Sequence, residues 1–393
     1  MVCAEALQRV CSMNKKLWPV VLLGLVGLAL IGQLVRTSPA PLTSPDRIAG
    51  ILRDNAQNAG YARVLGPRAF EFPRDHGAHP NYRHEWWYLT GHLEAADGTR
   101  QGFQLTFFRY ALSPQAVVSA SHWRTQQALL AHFALTDETT QRFIHHERHA
   151  RVALGLAGAS NTVGEIWLND WRLAQAGEAG GWQLQATTPD TALTLDLQPS
   201  KPLVLQGDHG YSRKSEAPGN ASYYYSIPRL AVAGTLQRGD TEVRVRGTAW
   251  LDHEWGTSAL GATHSGWDWF ALQLDDGREL SFYRLRQIDG RADPLSRGIV
   301  VNPNGEARPL DLTALQMTPL RWWRSPVTGI RYPVVWRVVC VREHLDLRLE
   351  AVLDAQEWPG SLRYWEGAVR VTDFAAPTQT RGRAYLELTG YAR

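Results

Sequence analysis

Two short passages set acids among large rings. In His79-Pro80-Asn81-Tyr82-Arg83-His84-Glu85-Trp86-Trp87-Tyr88, Glu85 stands directly before a run of aromatic side chains. In Trp250-Leu251-Asp252-His253-Glu254-Trp255-Gly256, two acids and a histidine alternate between indoles. On an extended chain Trp250, Asp252 and Glu254 share one face, and Leu251 and His253 take the other. A carboxyl desolvated among rings has its pKa driven up, toward the value a general acid needs near neutral pH. Asp252, Glu254 and His253 are therefore the catalytic candidates: Asp252 would donate a proton, and Glu254 or His253 would orient a water. Trp250, Tyr223, Tyr225 and Trp267 are ligand-binding candidates through their rings. Asp268, Glu85, Trp87, Tyr88 and Arg109 join them as neighbours in the same aromatic passages. The structural alternative for the acids is a buried carboxylate tied to an arginine such as Arg109 or Arg284. For the Tyr223-Tyr224-Tyr225 run it is a plain aromatic lining.

Other chemistries find no footing in the sequence. There is no Gly-x-Ser-x-Gly elbow, no P-loop and no dinucleotide-binding glycine pattern. His145-His146-Glu147-Arg148-His149 lacks the His-Glu-x-x-His spacing of a helical zinc site and reads as a solvated, charged segment. Cysteine occurs three times, at Cys3, Cys11 and Cys340, so a four-thiolate metal site and a disulfide framework in the body are both excluded. The expectation is a protein with no metal and no cofactor.

Strands must position these residues. Phe103, Leu105 and Phe107 alternate with Gln104 and Thr106; Leu193, Leu195 and Leu197 alternate with Thr194 and Asp196. Val243 and Val245 alternate with Arg244 and Arg246, and Leu345, Leu347 and Leu349 with Asp346, Arg348 and Glu350. Period two with one polar face marks half-buried antiparallel strands. Asp97-Gly98, Gly180-Gly181, Asp276-Gly277, Asp289-Gly290 and Asn304-Gly305 supply the hairpin turns between them. A short helix is expected only around Asp46–Ala62. The passage from His84 to Phe108-Arg109 is echoed from His253 to Tyr283-Arg284, with aromatic entry, Asp-Gly turn and arginine exit in both, so two related β units are expected. The 16 tryptophans suit barrel cores and apolar cavities.

The charge lies at the start. The whole chain is formally +3, and residues 1–44 hold Arg9, Lys15, Lys16 and Arg36 against Glu5, which leaves the body neutral. A neutral body has no electrostatic footprint for nucleic acid. After Lys15-Lys16, the stretch Leu17–Val35 is apolar but for Gln33, long enough to cross a bilayer core of roughly 30 Å. The lysines place residues 1–16 in the cytoplasm and the body outside. The reading is a single-pass inner-membrane anchor with the body facing the periplasm; the alternative is a cleaved signal and a periplasmic or secreted protein. A Pro- and Ser-rich linker runs from Ser38 to Ser44.

The motifs Asp75-His76-Gly77-Ala78-His79-Pro80 with Glu85-Trp86-Trp87-Tyr88, Ala221-Ser222-Tyr223-Tyr224-Tyr225-Ser226, Asp252-His253-Glu254-Trp255-Gly256 and Gly266-Trp267-Asp268-Trp269-Phe270 together resemble the AttH-like branch of the carotenoid 1,2-hydratase (CrtC, hydroxyneurosporene synthase) family. The resemblance runs from about residue 66 to the C-terminus. It implies an all-β fold of two tandem lipocalin-like antiparallel barrels, one over 66–257 and one over 258–393, behind the 1–44 segment. It also implies addition of water across an isolated double bond of an acyclic carotenoid, and, in the AttH-like branch, export and association with an ABC transporter. The hydratases carry a Tyr-x-Asp matched here by Trp250-Leu251-Asp252, so the acid is kept and the tyrosine is replaced. Their His-x-Trp falls on Tyr223-Tyr224-Tyr225, where neither residue is present. Three functions follow as expectations: a lipocalin-like binder of a lipid, isoprenoid or polyene-like molecule, a cofactor-independent hydratase or isomerase with Asp252 as donor, and a periplasmic accessory of an ABC transporter.

Overall fold

The computed structural model describes residues 58–115, 121, 124–176, 180–258 and 260–392. The expected membrane helix, the tail before it and most of the Asp46–Ala62 helix lie outside these residues. Among the described residues the regular structure is β apart from short 3-10 turns such as Arg74–His76. No helix there is long and apolar enough to cross a membrane. The strands expected from alternation all form, within Arg100–Ala111, Thr191–Pro199, Thr241–Ser258 and Leu345–Ala351. Asp-Gly turns join the hairpins because their glycines take the left-handed conformation that the tight reversal needs, as at Gly98 (φ 82°) and Gly277 (φ 85°).

Among the described residues the strands make two antiparallel sheets. The first has 13 strands, and its central order is Arg142–Arg151, Gln127–Asp137, Arg100–Ala111, His84–Ala95, Thr241–Ser258, Ala221–Arg238, Thr191–Pro199, Gly181–Thr187, Trp171–Ala176, Glu165–Leu168 and Ala157–Ala159. It curls until the strands at its first end touch the Glu165–Leu168 strand near its last, which makes a nearly closed barrel. The second sheet has 10 strands; its middle is Glu279–Gln287, His264–Leu274, Thr380–Thr389 and Tyr364–Asp373. It stays a half-barrel, open between the edge strands Ala307–Pro309 and Leu315–Arg324. Pro309 and Pro319 lie on those edges and deny them a ladder donor, and the register also slips at Pro319.

The concave side of each sheet is filled. Trp87, Phe103, Phe107, Trp171, Trp182 and Trp255 pack inside the first, and Phe270, Phe282, Trp336 and Trp365 inside the second. A third cluster, with Tyr88, Tyr224 and Trp250 from the first sheet and Trp269, Tyr283, Ala368 and Tyr385 from the second, lies where the outer faces of the two sheets meet. That meeting place holds the open space.

Candidate functional site

Register determines what faces that space. Across the first sheet Ser226, Asp252, Tyr88 and Thr106 stand opposite one another, and so do Tyr224, Glu254, Trp86 and Phe108 in the next row. Opposite residues on paired strands share a face, so both rows point toward the second sheet. The second sheet answers with a row of Tyr283, Trp269, Glu387 and Glu366. Between them is a cavity of about 80 Å³ whose walls are mostly aromatic and which Asp252, Glu254, Glu387 and Lys214 also reach. The half-buried Trp86, Phe108, Tyr110, Trp267 and Glu387 give it a rim, and the rest of the lining is buried.

Asp252 is held by neutral donors only. Its Oδ1 accepts from the Trp250 indole at 2.6 Å and the Ser226 hydroxyl at 2.5 Å, and its Oδ2 meets the Tyr224 hydroxyl at 2.5 Å. The Tyr224 oxygen is itself 3.3 Å from the Trp269 Nε1. Burial pushes the Asp252 pKa up to about 7; the three hydrogen bonds oppose this, and the charge of Glu254 adds to it. An indole can only donate, so Oδ1 is committed as acceptor and the acidic proton belongs on Oδ2, at the Tyr224 hydroxyl.

The neighbouring acids have different environments. Glu254 is paired with buried Lys214 at 2.8 Å and accepts from the Ser222 hydroxyl. The Lys214 ammonium sits over the Tyr283 ring at 4.5 Å, a cation–π contact, and the charge of Asp252 acts on it as well as that of Glu254. Glu387 has no cationic partner among the described residues: burial raises its pKa to about 8, a hydrogen bond from Trp267 opposes, and the charges of Glu254 and Asp252 raise it further. Two carboxyls facing one cavity thus keep their protons far above the ordinary carboxylate range, Asp252 about half protonated and Glu387 mainly protonated near pH 7.

On the other side of the same strand lies a closed charge cluster. Glu85 bridges the His79 and His253 imidazoles at 2.7 and 2.9 Å through Oε1, and its Oε2 takes the Arg109 Nε at 2.7 Å. His79 continues to Asp75 at 3.1 Å, while the Tyr225 hydroxyl joins His253 at 3.2 Å to His76 at 2.6 Å. Burial works against the Glu85 charge, but Arg109 and His79 outweigh it and hold the carboxyl well below its usual range. Donor atoms of His79, Glu85 and His253 lie within 4.8 Å of one another, a spacing that could hold a metal ion. Each is already satisfied by its neighbours and Arg109 occupies the second oxygen, so the arrangement fits a fixed ionic core better than a coordination site.

Residues 63–391 match the AttH-like family model. The chain belongs to the AttH-like family. An AttH-type protein from Nitrosomonas europaea is similar in structure, with a TM-score of 0.74 and 37% identity over 84% of this chain and 100% of that one. Kievitone hydratase from Nectria haematococca shares the fold at 14% identity, with a TM-score of 0.62 over 85% of this chain and 97% of its own. No curated protein matches the sequence.

In this AttH-like chain Asp252, Glu254, Tyr88 and Trp267 come together around the cavity. Trp250, expected to bind the ligand through its ring, does not line the cavity; it shares the Asp252 face and donates its indole N–H to the Asp252 carboxyl. His253, Glu85, Trp87, Arg109, Tyr223 and Tyr225 do not: they point into the first barrel, because each is one residue out of phase with a cavity-facing neighbour. His253 therefore cannot orient a water beside Asp252. Asp268 is likewise turned inward, bound by Arg284 at 2.6 Å and by Arg286. The echo between the hairpins is thus real at the level of ion pairs, since Glu85 stands opposite Arg109 and Asp268 opposite Arg284. Lys214, Tyr224, Trp269, Tyr283 and Glu387 were not expected at the site. Tyr224 carried no signal that set it apart from Tyr223 and Tyr225, since its face is decided by the pairing of Ser226 with Asp252, and Glu387 carried none because it comes from a strand far along the chain.

Proposed function

We propose that this AttH-like protein is a cofactor-independent hydratase of an apolar, alkene-bearing molecule, with Asp252 as the proton donor. The observation that carries the reading is a buried carboxyl with a pKa of about 7 in an aromatic cavity, with no cationic partner. Asp252 would transfer its Oδ2 proton to one carbon of an isolated double bond. The cation left on the other carbon would be stabilised by the faces of Trp267, Trp269 and Tyr224. A water then adds to that carbon and gives one proton to the Asp252 carboxylate, so that one water is added per turnover and Asp252 is restored. Lys214, held by Glu254, would keep a charge beside the entering water. The name of the structural relative kievitone hydratase supports the class of reaction.

On this reading the two sheets are tandem lipocalin-like barrels over 66–257 and 258–393, the second of them open, and the ligand lies between them. The apolar run Leu17–Val35 supports an anchor in, or export across, the inner membrane, which would bring the site to a source of isoprenoid or polyene-like molecules. The binding-only alternative keeps one argument, the aromatic lining. Incubation with lycopene or geranylgeraniol in oxygen-18 water distinguishes them. Labelled alcohol from wild type and none from Asp252→Asn is expected. Tight retention of either probe, with no labelled product, would leave a binder and overturn the hydratase.

A further inference from the structure

The His145–His149 segment belongs to the edge strand Arg142–Arg151; His145 to Arg148 are half-buried and His149 is exposed, so its reading as a solvated run holds only in part. Its Glu147 stands opposite His132, His132 opposite Thr106, Thr106 opposite Tyr88 and Tyr88 opposite Asp252. One row of the first sheet therefore leads from the cavity acid to the sheet edge, on the face turned toward the second sheet. Over that row the second sheet places Trp358, Tyr364 and Glu366. His132 is fully buried and stacked on the Trp358 indole, with centroids 4.1 Å apart.

The hydrogen bonds along this row have one consistent direction. The Trp358 Nε1 donates to the Gln104 Oε1 at 3.1 Å, which turns the Gln104 amide nitrogen toward the Glu366 Oε2 at 2.6 Å and the Tyr364 oxygen at 3.2 Å. Because the Tyr364 oxygen accepts from Gln104, its own proton points to the His132 Nδ1, 2.5 Å away. The His132 Nε2 must then carry its proton toward the Glu147 Oε2, at 3.0 Å. Glu147 also accepts from the Ser361 backbone at 3.0 Å and from its hydroxyl, and Ser361 is exposed. Tyr364 lines the cavity at the inner end, and the Glu147 side chain is 21% exposed at the outer end.

We propose that Tyr364, His132 and Glu147 form a proton line between the cavity and solvent, with Glu366 as the carboxyl at its inner end. The proposal rests on the hydratase reading for its purpose: hydration itself returns a proton to Asp252, but an apolar substrate filling the rim shuts out bulk water, and the line then lets the cavity's carboxyls regain or lose a proton from behind it. In the outward step Tyr364 passes its proton to the His132 Nδ1 and takes one from the Glu366 carboxyl, to which it is hydrogen-bonded. The His132 Nε2 proton goes to Glu147, and solvent takes it there; the inward step is the reverse. Each hop breaks one O–H or N–H bond and forms another, and no co-reactant is needed. The protonation states suit the task. Burial keeps His132 neutral, though Glu147 opposes, and Glu147 is held ionised at about 2 against its own desolvation, chiefly by the His132 hydrogen bond. Burial, then the charge of Glu387, keeps Glu366 protonated.

The test needs no substrate. Infrared difference spectra after rapid dilution into heavy water follow the C=O stretch of protonated Glu366, assigned by its loss in Glu366→Gln. His132→Ala should slow that exchange at least about tenfold, and added imidazole should restore it. Glu147→Gln, at the half-exposed end where packing is undisturbed, should slow it as well. If the network only ties the two sheets together, the variants lower the melting temperature, imidazole rescues nothing, and exchange is unchanged or faster; that result overturns the line. Slowed exchange in a protein that hydrates neither probe would keep the line and discard the hydratase.

Discussion

Asp252 and Glu85 are both buried acids one strand apart, and they differ in what surrounds them. Glu85 has Arg109 and two imidazoles, so Glu85→Gln leaves a guanidinium uncompensated in the barrel core and should cost about 3–5 kcal/mol. Asp252 has only hydroxyl and indole donors, and an asparagine can keep most of them; its cost at pH 5 should be about 1 kcal/mol or less. The pH dependences have opposite sign. A folded-state pKa raised to about 7 means the native protein holds a proton that the unfolded chain has released, so this contribution to stability falls as pH rises from the ordinary carboxylate range through 7. Asp252→Asn should remove that loss and gain on wild type toward pH 8. Glu85, held low, contributes stability above the ordinary carboxylate range, and that contribution is lost as pH falls. Melting temperatures of the two variants from pH 4 to pH 8 check both slopes; a melt of Asp252→Asn that collapses at every pH would remove Asp252 from the role of idle-charge-free proton donor.

At the scale of the strand, period two told most of the story and left out one bit of it. The alternation in Phe103–Phe108 or Leu345–Glu350 reveals a strand with two unlike faces, and those strands form. In Tyr223-Tyr224-Tyr225 both faces are aromatic, so the sequence cannot say which ring looks at Asp252. The structure resolves this by pairing Ser226 with Asp252 and Tyr224 with Glu254, which turns Tyr223 and Tyr225 into the barrel. The same ambiguity affected His84-Glu85-Trp86-Trp87-Tyr88, where Trp86 and Tyr88 reach the cavity and Glu85 and Trp87 the core. In Trp250–Trp255 the small-step alternation of acid and apolar residues made the face legible. A paired substitution tests the parity. Tyr224→Phe removes a donor to the Asp252 carboxylate, so the proton affinity of Asp252 should rise roughly tenfold, given about 1.5–3 kcal/mol for a hydrogen bond to a charged group. Tyr225→Phe, whose hydroxyl serves His76 and His253, should leave it unmoved. Carbon-13 titration of the Asp252 carboxyl in both variants reads the difference.

For the whole molecule, the site is a property of two sheets meeting, and no local pattern announces it. Motifs within one passage were legible; Glu387, Tyr364 and Trp269 reach the same space from the second sheet, and only the packing of outer face on outer face unites them with Asp252. That packing depends on a close approach at Gly102, in the Arg100–Ala111 strand. A Cβ built there would lie 2.4 Å from the Ala368 Cβ on the Tyr364–Asp373 strand, well inside contact distance. The Gly102 backbone is not in the left-handed region, so the conflict is one of space between sheets and not of strain within the strand. Ala368 is fully buried in the shared aromatic cluster, where a retreat would disturb its packing. Gly102→Ala should therefore destabilise by about 1–3 kcal/mol, the usual cost of overpacking, and widen the space at the cavity wall. Ala368→Gly alone should destabilise modestly by leaving a methyl-sized gap and adding chain entropy. The two together should be better than the sum of the singles, because the new methyl at residue 102 fills the gap left at 368. Chemical denaturation of all four proteins yields the coupling. A double variant no more stable than the singles predict would mean that the sheets do not press on one another at this point, and that the cavity owes its shape to other contacts.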